Sequence, residues 1–200
     1  MHYFLLKEQL MNKFTQIVGS TSLEFRTSSS LFSPLCIDKG TLLMIQSAEV
    51  DLSDYILDLG CGYGAVGIYF AKILQPQNVV MSDVDAKAIE LAKQNAELNG
   101  VPDMQIINSD GFRNINISGF TQIFSNPPCH ADFSIPKHFI EKGFNRLNLG
   151  GKMHMVTKRK DWYKNKFTAI FGGVRIIGRD GYYVFQAEKR NLKYANRSGQ

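Results

Sequence analysis

The stretch Tyr55-Ile-Leu-Asp-Leu-Gly-Cys-Gly-Tyr-Gly-Ala65 places three glycines directly after a short apolar run. An apolar run of this length that stops at glycines is typical of a buried strand followed by a tight turn. The residues that follow, 65–74, have helical spacing and end near Pro76. The stretch therefore predicts a strand, a glycine loop and a helix, with bare backbone that a ligand could approach closely.

The same alternation of apolar runs and helical segments continues along the chain. Further strands are predicted at 79–81, 104–107, 121–125 and 153–157, and helices at 86–99, 136–147 and 162–171. Two last runs, 174–177 and 182–185, flank the turn Gly178-Arg-Asp-Gly181 and predict a hairpin. The fold class is therefore α/β, with a mostly parallel sheet, helices on both faces and an antiparallel last strand.

The N-terminal part allows two interpretations. Residues 14–18 and 22–26 flank Gly19-Ser-Thr, which predicts a hairpin. Residues 3–18 could instead form a helix, since Leu6, Leu10, Phe14 and Ile17 would share one face.

Composition excludes several classes of protein. With 44% apolar and 20% charged residues, the 200-residue chain can bury a core, and no apolar run is long enough to span a membrane. Three cysteines without CxxC spacing and four histidines without HExxH spacing predict neither a disulfide framework nor a metal site. We therefore expect a reduced, cytoplasmic protein that contacts no membrane.

Positive charge is concentrated near the C-terminus. Residues 151–200 carry 12 Lys and Arg against 3 Asp and Glu, whereas residues 1–150 carry 11 against 15. This asymmetry predicts an anionic partner for the C-terminal part, although a solvated basic surface would explain the charge equally well.

Acidic residues near the predicted strand ends discriminate between two ligands. The G-x-G-x-x-G spacing of residues 62–67 suits a dinucleotide, and Asp83 could bind ribose hydroxyls in either case. Asp58, two residues before the first glycine, would repel a pyrophosphate. S-adenosylmethionine has no phosphate and carries two cationic groups, so Asp58 favours it, and Asp110 could bind its adenine amino group. Alternatively, Asp58 and Asp110 are helix or turn caps.

Asn126-Pro127-Pro128 follows the fourth predicted strand of the sheet. The prolines stiffen the backbone, so the Asn126 side-chain oxygen and the Pro127 carbonyl become two fixed acceptors. Together they could hold both hydrogens of an exocyclic amine or amide and aim its lone pair at a methyl donor. Catalysis would then rest on positioning and electrostatics. A Pro-Pro pair that merely ends a strand is the alternative.

Four segments together resemble the motifs of class I S-adenosylmethionine-dependent N-methyltransferases: 58–64, Ser82-Asp-Val-Asp85, Asn108-Ser-Asp110 and Ser125-Asn-Pro-Pro128. Within this class, the chain resembles the small-subunit ribosomal RNA guanine-N2 methyltransferases and their short bacterial relatives more closely, over about residues 14–190. Segments 31–43 and 149–152 support this resemblance, and residues 149–151 are predicted to form the turn before the fifth strand of the sheet. It implies a Rossmann-like methyltransferase fold with a seven-stranded sheet whose last strand is antiparallel.

The resemblance also implies a role for each motif residue. The S-adenosylmethionine site would comprise Asp58, Gly60, Cys61, Gly62, Gly64, Asp83, Asp110 and Asn126. Asn126, Pro127 and Pro128 would be the catalytic residues that hold the target nitrogen. Asp38, Gly40 and Thr41 would close the pocket near the methionine end.

The substrate side departs from the family in one position. Cys129 stands after Pro-Pro, where the family often has an aromatic residue that stacks on the target base; His130 or Phe133 could supply that surface instead. Lys158, Arg159 and Lys160 could bind RNA phosphates.

The sequence therefore predicts methyl transfer to an exocyclic base nitrogen of RNA, with guanine N2 of ribosomal RNA preferred. The alternatives are a protein glutamine N-methyltransferase and a non-catalytic RNA-binding module of the same fold; Asp58 opposes a nicotinamide oxidoreductase.

We expect a single methyltransferase domain over 1–200, in which 1–40 form an N-terminal extension and 41–190 the catalytic core. The second domain that precedes the catalytic one in the larger ribosomal relatives is not expected. RNA or a ribosomal subunit is the expected partner, and the sequence leaves the oligomeric state open.

Overall fold

Nine strands and five α-helices lie within residues 11–29, 32–128 and 132–195, the part of the chain that the computed structural model describes. In chain order they are β1 Met11–Val18, β2 Thr21–Ser28, α1 Lys39–Ser47, β3 Ile56–Leu59, α2 Ala65–Ile73, β4 Val79–Asp83, α3 Ala86–Leu98, β5 Gln105–Asn108, β6 Phe120–Ser125, α4 Ser134–Arg146, β7 Leu147–Thr157, α5 Lys160–Phe171, β8 Arg175–Arg179 and β9 Tyr182–Glu188. No helix in these ranges is both long and apolar enough to cross a bilayer.

Seven strands form one sheet in the order β5-β4-β3-β6-β7-β9-β8. The first five of these are parallel, and β9 runs antiparallel to both β7 and β8. The chain builds outward from β3 to β5 and then returns to β6, so the strand order reverses between β3 and β6. Ligands of open α/β sheets bind at the carboxyl ends of the strands at such a reversal. The predicted seven-stranded sheet with an antiparallel last strand is confirmed.

Alternate residues of the central strands contribute to two apolar layers. Ile56 and Met81 belong to one cluster, together with residues of α1, α2 and α3. Leu57 and Val80 belong to the other, together with residues of α4 and α5. Because helices cover both faces, all four residues of β3 are buried, which explains the short apolar run in the sequence.

The β7 strand is longer than the sequence predicts. It begins at Leu147 and includes the segment 149–151 that was predicted as a turn. The pairing of β6 with β7 shifts register there, and Gly150 has a φ of 81°. A bulge therefore replaces the predicted turn, because the Gly150 N–H donates to the Lys189 carbonyl and the Gly151 carbonyl accepts the Lys189 N–H, which keeps the segment in the sheet.

The N-terminal segment forms the predicted hairpin. Strands β1 and β2 pair antiparallel, with Phe14 opposite Phe25. The helical alternative for residues 3–18 is wrong for 11–18, and residues 3–10 lie outside the described part. The hairpin is a separate two-stranded sheet, and its Phe25 packs edge-on against Tyr63 of the glycine loop.

Asn95 of α3 and Asn99, the residue that caps the end of this helix, attach the hairpin to the main body. Asn95 Oδ1 accepts the Arg26 N–H (2.8 Å), and its Nδ2 donates to the carbonyls of Arg26 and Tyr63 (both 2.9 Å). Asn99 makes the same paired contact with the N–H (3.1 Å) and carbonyl (2.7 Å) of Glu24. Because Asn95 and Asn99 are four residues apart, both side chains face β2. Their amides make the backbone hydrogen bonds that a neighbouring strand would otherwise make at the open edge of β2.

We expect Asn95→Ala to lower the free energy of unfolding by about 2–4 kcal/mol, because it leaves buried backbone groups of Arg26 and Tyr63 without partners. Chemical denaturation measures the change. Asn99→Ala is the matched control and should cost clearly less, since its contact with Glu24 is exposed. Equal losses in the two variants would contradict the role of burial.

Candidate active site

A cleft of about 440 Å³ opens where β3, β4 and β6 end. Its wall includes the glycine loop after β3, the residues that end β4 and follow β5, the Asn-Pro-Pro segment after β6, and the start of α1. The cleft thus brings together most of the predicted cofactor residues, namely Asp58, Gly60, Cys61, Gly62, Asp83, Asp110 and Asn126, with Pro127 and Pro128. Gly64 is the N-cap of α2 instead and does not line the cleft.

The glycine loop is fixed to the end of β4. The N–H groups of Gly60 and Cys61 donate to the carbonyl of Ser82 (2.8 and 2.9 Å), and the Gly62 N–H donates to Asp83 Oδ2 (2.8 Å). This path needs left-handed φ angles of 77° and 56° at Gly60 and Gly62, which glycine adopts without strain. Burial raises the pKa of the Cys61 thiol, which keeps it neutral in the cleft wall.

Asp58 is both a helix cap and part of the cleft wall. Its Oδ2 accepts the N–H of Gly67 (2.9 Å) in the first turn of α2, where the N-cap Gly64 has no side chain to do so. The carboxyl is only 2% exposed. Burial, and secondarily the charge of Asp83, raise its pKa from 3.8 to about 7, although the Gly67 hydrogen bond opposes the shift. Asp58 therefore caps α2, as the alternative interpretation predicted, and it also lines the cleft.

The other two acidic residues differ in their surroundings. Both oxygens of Asp83 accept backbone N–H groups, from Gly62 (2.8 Å) and Asp85 (3.0 Å), so Asp83 shapes the loop as well as lining the cleft. Asp110 is exposed at the cleft, and its carboxylate accepts no hydrogen bond from the described residues. A capping role is therefore not seen for the Asp110 side chain.

The side chain of Asn126 has a defined orientation. Its Nδ2 donates to Thr41 Oγ1 (2.9 Å) and lies 3.3 Å from Asp38 Oδ2, and both partners belong to the start of α1. The Oδ1 atom is thereby left to accept a hydrogen bond from a ligand in the cleft. The adjoining Pro127 is buried and Pro128 is exposed, and both line the same cleft.

The three predicted substrate cations follow β7, and each lies over an aromatic ring. Lys158 lines the cleft, with its Nζ 4.8 Å from the centre of the Tyr182 ring. Arg159 lies 4.8 Å from the ring centre of Phe133, and Lys160 5.3 Å from that of Tyr183. We call Lys158, Arg159 and Lys160 the cation row. Only Lys158 contributes to the cleft wall, and the other two extend beyond it.

The predicted stacking surface is described only in part. Cys129 and His130 lie outside the described residues. Phe133 stacks on Trp162, with ring centres 4.4 Å apart and planes inclined by 21°. It does not line the cleft, whereas Ile135 and Phe139 of α4 do.

Tyr182 lines the cleft, and no sequence pattern predicted this. Its hydroxyl donates to Asp38 Oδ1 (2.8 Å), 144 positions away in the chain. Tyr182 begins β9 after a two-residue turn, where Asp180 and Gly181 have φ angles of 52° and 78°. This Asp-Gly turn predicts the hairpin, but no local signal tells that the next residue reaches the cleft. No cluster of metal-ligating side chains occurs among the described residues.

Comparison with known proteins places these features in a family. A family model described as methyltransferase small domain matches residues 22–186. The chain is 33% identical over 171 residues to the uncharacterized protein YbxB of Bacillus subtilis, covering 82% of this chain and 85% of YbxB. It is 34% identical over 165 residues to ribosomal RNA small subunit methyltransferase C of Pseudoalteromonas atlantica, covering 80% of this chain and 47% of that protein. The chain thus spans most of YbxB but about half of the methyltransferase C relative.

Solved structures show the same fold. A 16S rRNA N2 methyltransferase of Thermus thermophilus, solved with AdoMet and guanosine, superposes with a TM-score of 0.83 at 24% identity, over 90% of this chain and 51% of that one. The ribosomal protein L11 methylase of Lactobacillus delbrueckii gives a TM-score of 0.64 at 17% identity, over 76% of this chain and 77% of that one. The predicted Rossmann-like methyltransferase fold and the methyltransferase family are confirmed.

We expect Gly67→Ala to lower the free energy of unfolding by about 1–3 kcal/mol. An added Cβ would overlap the buried Met81 side chain, and any outward shift of α2 would lengthen the hydrogen bond from Gly67 to Asp58. Thermal or chemical denaturation measures the loss. Gly173→Ala is the matched control, since no atom lies within 4 Å of its added Cβ. A Gly67 variant as stable as the Gly173 variant would contradict the close packing of α2 on β4.

Proposed function

Because the chain belongs to the methyltransferase small domain family, we propose that it transfers a methyl group to an exocyclic nitrogen of an RNA base, with guanine N2 of ribosomal RNA as the first candidate. The observation that carries this proposal is the orientation of Asn126, whose amide nitrogen is bound to α1 while its oxygen is left for a ligand. An acceptor in that place suits a substrate that donates hydrogens from nitrogen.

The cofactor is S-adenosylmethionine, as membership in a methyltransferase family implies. When bound, it supplies a methyl group on a positively charged sulfur. The cleft wall fits such a cation: the buried Asp58 lies near a second acid, Asp83, and the Asp58 Oδ1 accepts no hydrogen bond from the described residues. We propose Asp58, Gly60 and Gly62 for the methionine end, Asp83 for the ribose and Asp110 for the adenine.

Asn126 and Pro127 would act on the substrate side. The Asn126 Oδ1 and the Pro127 carbonyl can each accept one hydrogen of an amino group, which fixes the nitrogen and the direction of its lone pair. Holding the reacting atoms in this way contributes to the rate without a strong base. Because Pro127 is buried and followed by a second proline, its carbonyl has little freedom to turn away.

The cation row favours RNA over a neutral substrate. Lys158 lies in the cleft wall, and Arg159 and Lys160 continue from it along the chain. Aromatic rings beneath the three side chains hold them in place, which lowers the entropy lost when they bind phosphates. The similarity to methyltransferase C, whose name specifies small-subunit ribosomal RNA, supports the same class of substrate.

A protein amide is the second candidate substrate. A glutamine side chain also presents two hydrogens on nitrogen, and the same two acceptors would bind it. A ribosomal protein methylase shares the fold, so the fold by itself does not discriminate between RNA and protein. The third candidate, an RNA-binding module without activity, would not explain why the Asn126 amide is held in one orientation.

Transfer of tritiated methyl groups from S-adenosylmethionine to small ribosomal subunits, and separately to protein-free ribosomal RNA, tests the proposal. We expect the label in RNA, and digestion to nucleosides with mass spectrometry should identify N2-methylguanosine. Label found only in protein would replace the RNA assignment with the amide one. Cofactor binding without any transfer would favour the binding module.

We expect Asn126→Ala to lower the rate of methyl transfer by about 100-fold or more, while the affinity for S-adenosylmethionine changes by less than about twofold. Asn126 is also predicted in the S-adenosylmethionine site, but its main proposed contact is the target nitrogen, and the cofactor keeps its proposed contacts with Asp58, Asp83 and Asp110. Single-turnover kinetics and calorimetry measure the two quantities. Asn145→Ala, an exposed substitution on α4, serves as the control and should leave both unchanged. Transfer at the wild-type rate in the Asn126 variant would remove the proposed role.

The affinity for S-adenosylmethionine should rise with pH and level off above neutrality. Burial raises the pKa of Asp58 to about 7, so the carboxyl of the free protein is largely protonated at pH 6 and largely charged at pH 8. A cationic ligand favours the charged form, and binding at pH 6 therefore releases a proton. The dissociation constant should fall about tenfold between these pH values.

Calorimetry in buffers of different ionisation enthalpy measures both the affinity and the released proton. Asp58→Asn serves as the comparison, because it removes the titration of the Asp58 carboxyl but leaves any titration of S-adenosylmethionine itself unchanged. The same pH dependence in both proteins would show that Asp58 does not bind the cation.

A further inference from the structure

Asn126 is surrounded by a network that links three distant parts of the chain. Thr41 Oγ1 accepts its amide N–H at 2.9 Å, and Asp38 Oδ2 lies 3.3 Å from the same nitrogen. Asp38 is itself fixed on both oxygens, because Oδ2 accepts the backbone N–H of Thr41 (3.1 Å) and Oδ1 accepts the hydroxyl of Tyr182 (2.8 Å). Asp38 is 9% exposed and Thr41 7% exposed, so these bonds compete little with water.

The network determines which end of the Asn126 amide faces the cleft. An asparagine amide can rotate by half a turn and exchange its oxygen with its nitrogen at little cost when its surroundings are indifferent. Here the rotated form would place Oδ1 against Asp38 Oδ2, two acceptors without a hydrogen between them. It would also present an N–H₂ group to a substrate that donates hydrogens. Only the observed orientation serves the proposed reaction.

Gly40 packs directly against the contact between Asp38 and Tyr182. A Cβ at Gly40 would overlap the ring of Tyr182 and would lie 2.9 Å from Asp38 Oδ2. The ring can therefore reach Asp38 only because position 40 has no side chain. Lys158 lies over the same ring, which connects the cation row to the network.

We propose that Asp38, Thr41 and Tyr182 are positioning residues that hold the Asn126 amide with its oxygen toward the target nitrogen. The inference rests on the proposed function, since it assigns a purpose to the orientation of a catalytic residue. It also gives part of the predicted extension 1–40 a direct place in the active site through Asp38.

The matched pair Thr41→Val and Thr41→Ser tests the proposal. Valine keeps the shape of threonine and loses the acceptor, whereas serine keeps the hydroxyl. We expect Thr41→Val to lower the single-turnover rate of methyl transfer about tenfold and Thr41→Ser to stay within about threefold of wild type. Tyr182→Phe, which removes only the hydroxyl bound to Asp38, should lower the rate about threefold to tenfold. In all three variants the single-turnover rate should change more than the dissociation constant of S-adenosylmethionine.

A double-mutant cycle separates positioning from general damage. In the Asn126→Ala background, Thr41→Val should cause no further loss of rate, because the group that it positions is absent. A loss that persists there, or one that falls entirely on the KM for S-adenosylmethionine, would overturn the proposal. Equal rates for the valine and serine variants would overturn it as well.

A spectroscopic measurement makes the test independent of activity. With ¹⁵N-labelled asparagine, the Asn126 side-chain resonances are identified by their disappearance in Asn126→Ala. Their hydrogens should exchange with water about tenfold faster in Thr41→Val than in Thr41→Ser. Absence of methyl transfer by the wild-type protein would refute the proposed function, whereas unchanged exchange in the valine variant would refute the positioning network.

Discussion

A buried carboxylate at the sheet's centre connects the first parallel strand to the helix that follows it. Asp58 lies in a strand whose every residue is buried, and it caps α2 through the N–H of Gly67 because Gly64 offers no side chain. Without this acceptor, the first turn of α2 would leave a donor unpaired in the interior. The direction of α2 and the shape of the glycine loop therefore depend on an acidic group that also lines the cleft.

The sheet arranges the polar groups of the cleft by charge. From β5 through β4 to β3, the strands bring Asp110, Asp83 and Asp58 to one edge; β6 adds the neutral Asn126, and β7 adds Lys158. Because parallel strands end at a common edge, groups separated in sequence become neighbours in strand order. The gradient from acid to amide to cation suits a cationic methyl donor on one side and a polyanionic substrate on the other.

Much of this arrangement follows from local sequence patterns. Apolar runs bounded by glycine and proline locate the strands, since a strand covered on both faces has few polar positions. The Asp-Gly turn before Tyr182 and the hairpin around Gly19 are equally local, because left-handed backbone angles select their residues. The bulge at Gly150 was not foreseen, since a glycine pair looks the same in a turn and in a strand that is held by pairing with Lys189.

The residues alone sufficed for the class of fold, because apolar runs and turns depend on short-range spacing. The resemblance of the motifs sufficed for the family, and the predicted acids and the Asn-Pro-Pro segment all line the cleft. Contacts between distant segments had to be seen in three dimensions. Asp58 both accepts the Gly67 N–H and lines the cleft, and the approach of Tyr182 to Asp38 spans 144 positions. Whether the Asn126 amide presents its oxygen or its nitrogen to the cleft depends on residues at the start of α1 and on Tyr182 in the hairpin formed by β8 and β9. Local spacing does not predict these contacts, because they result from the order of the strands across the whole sheet.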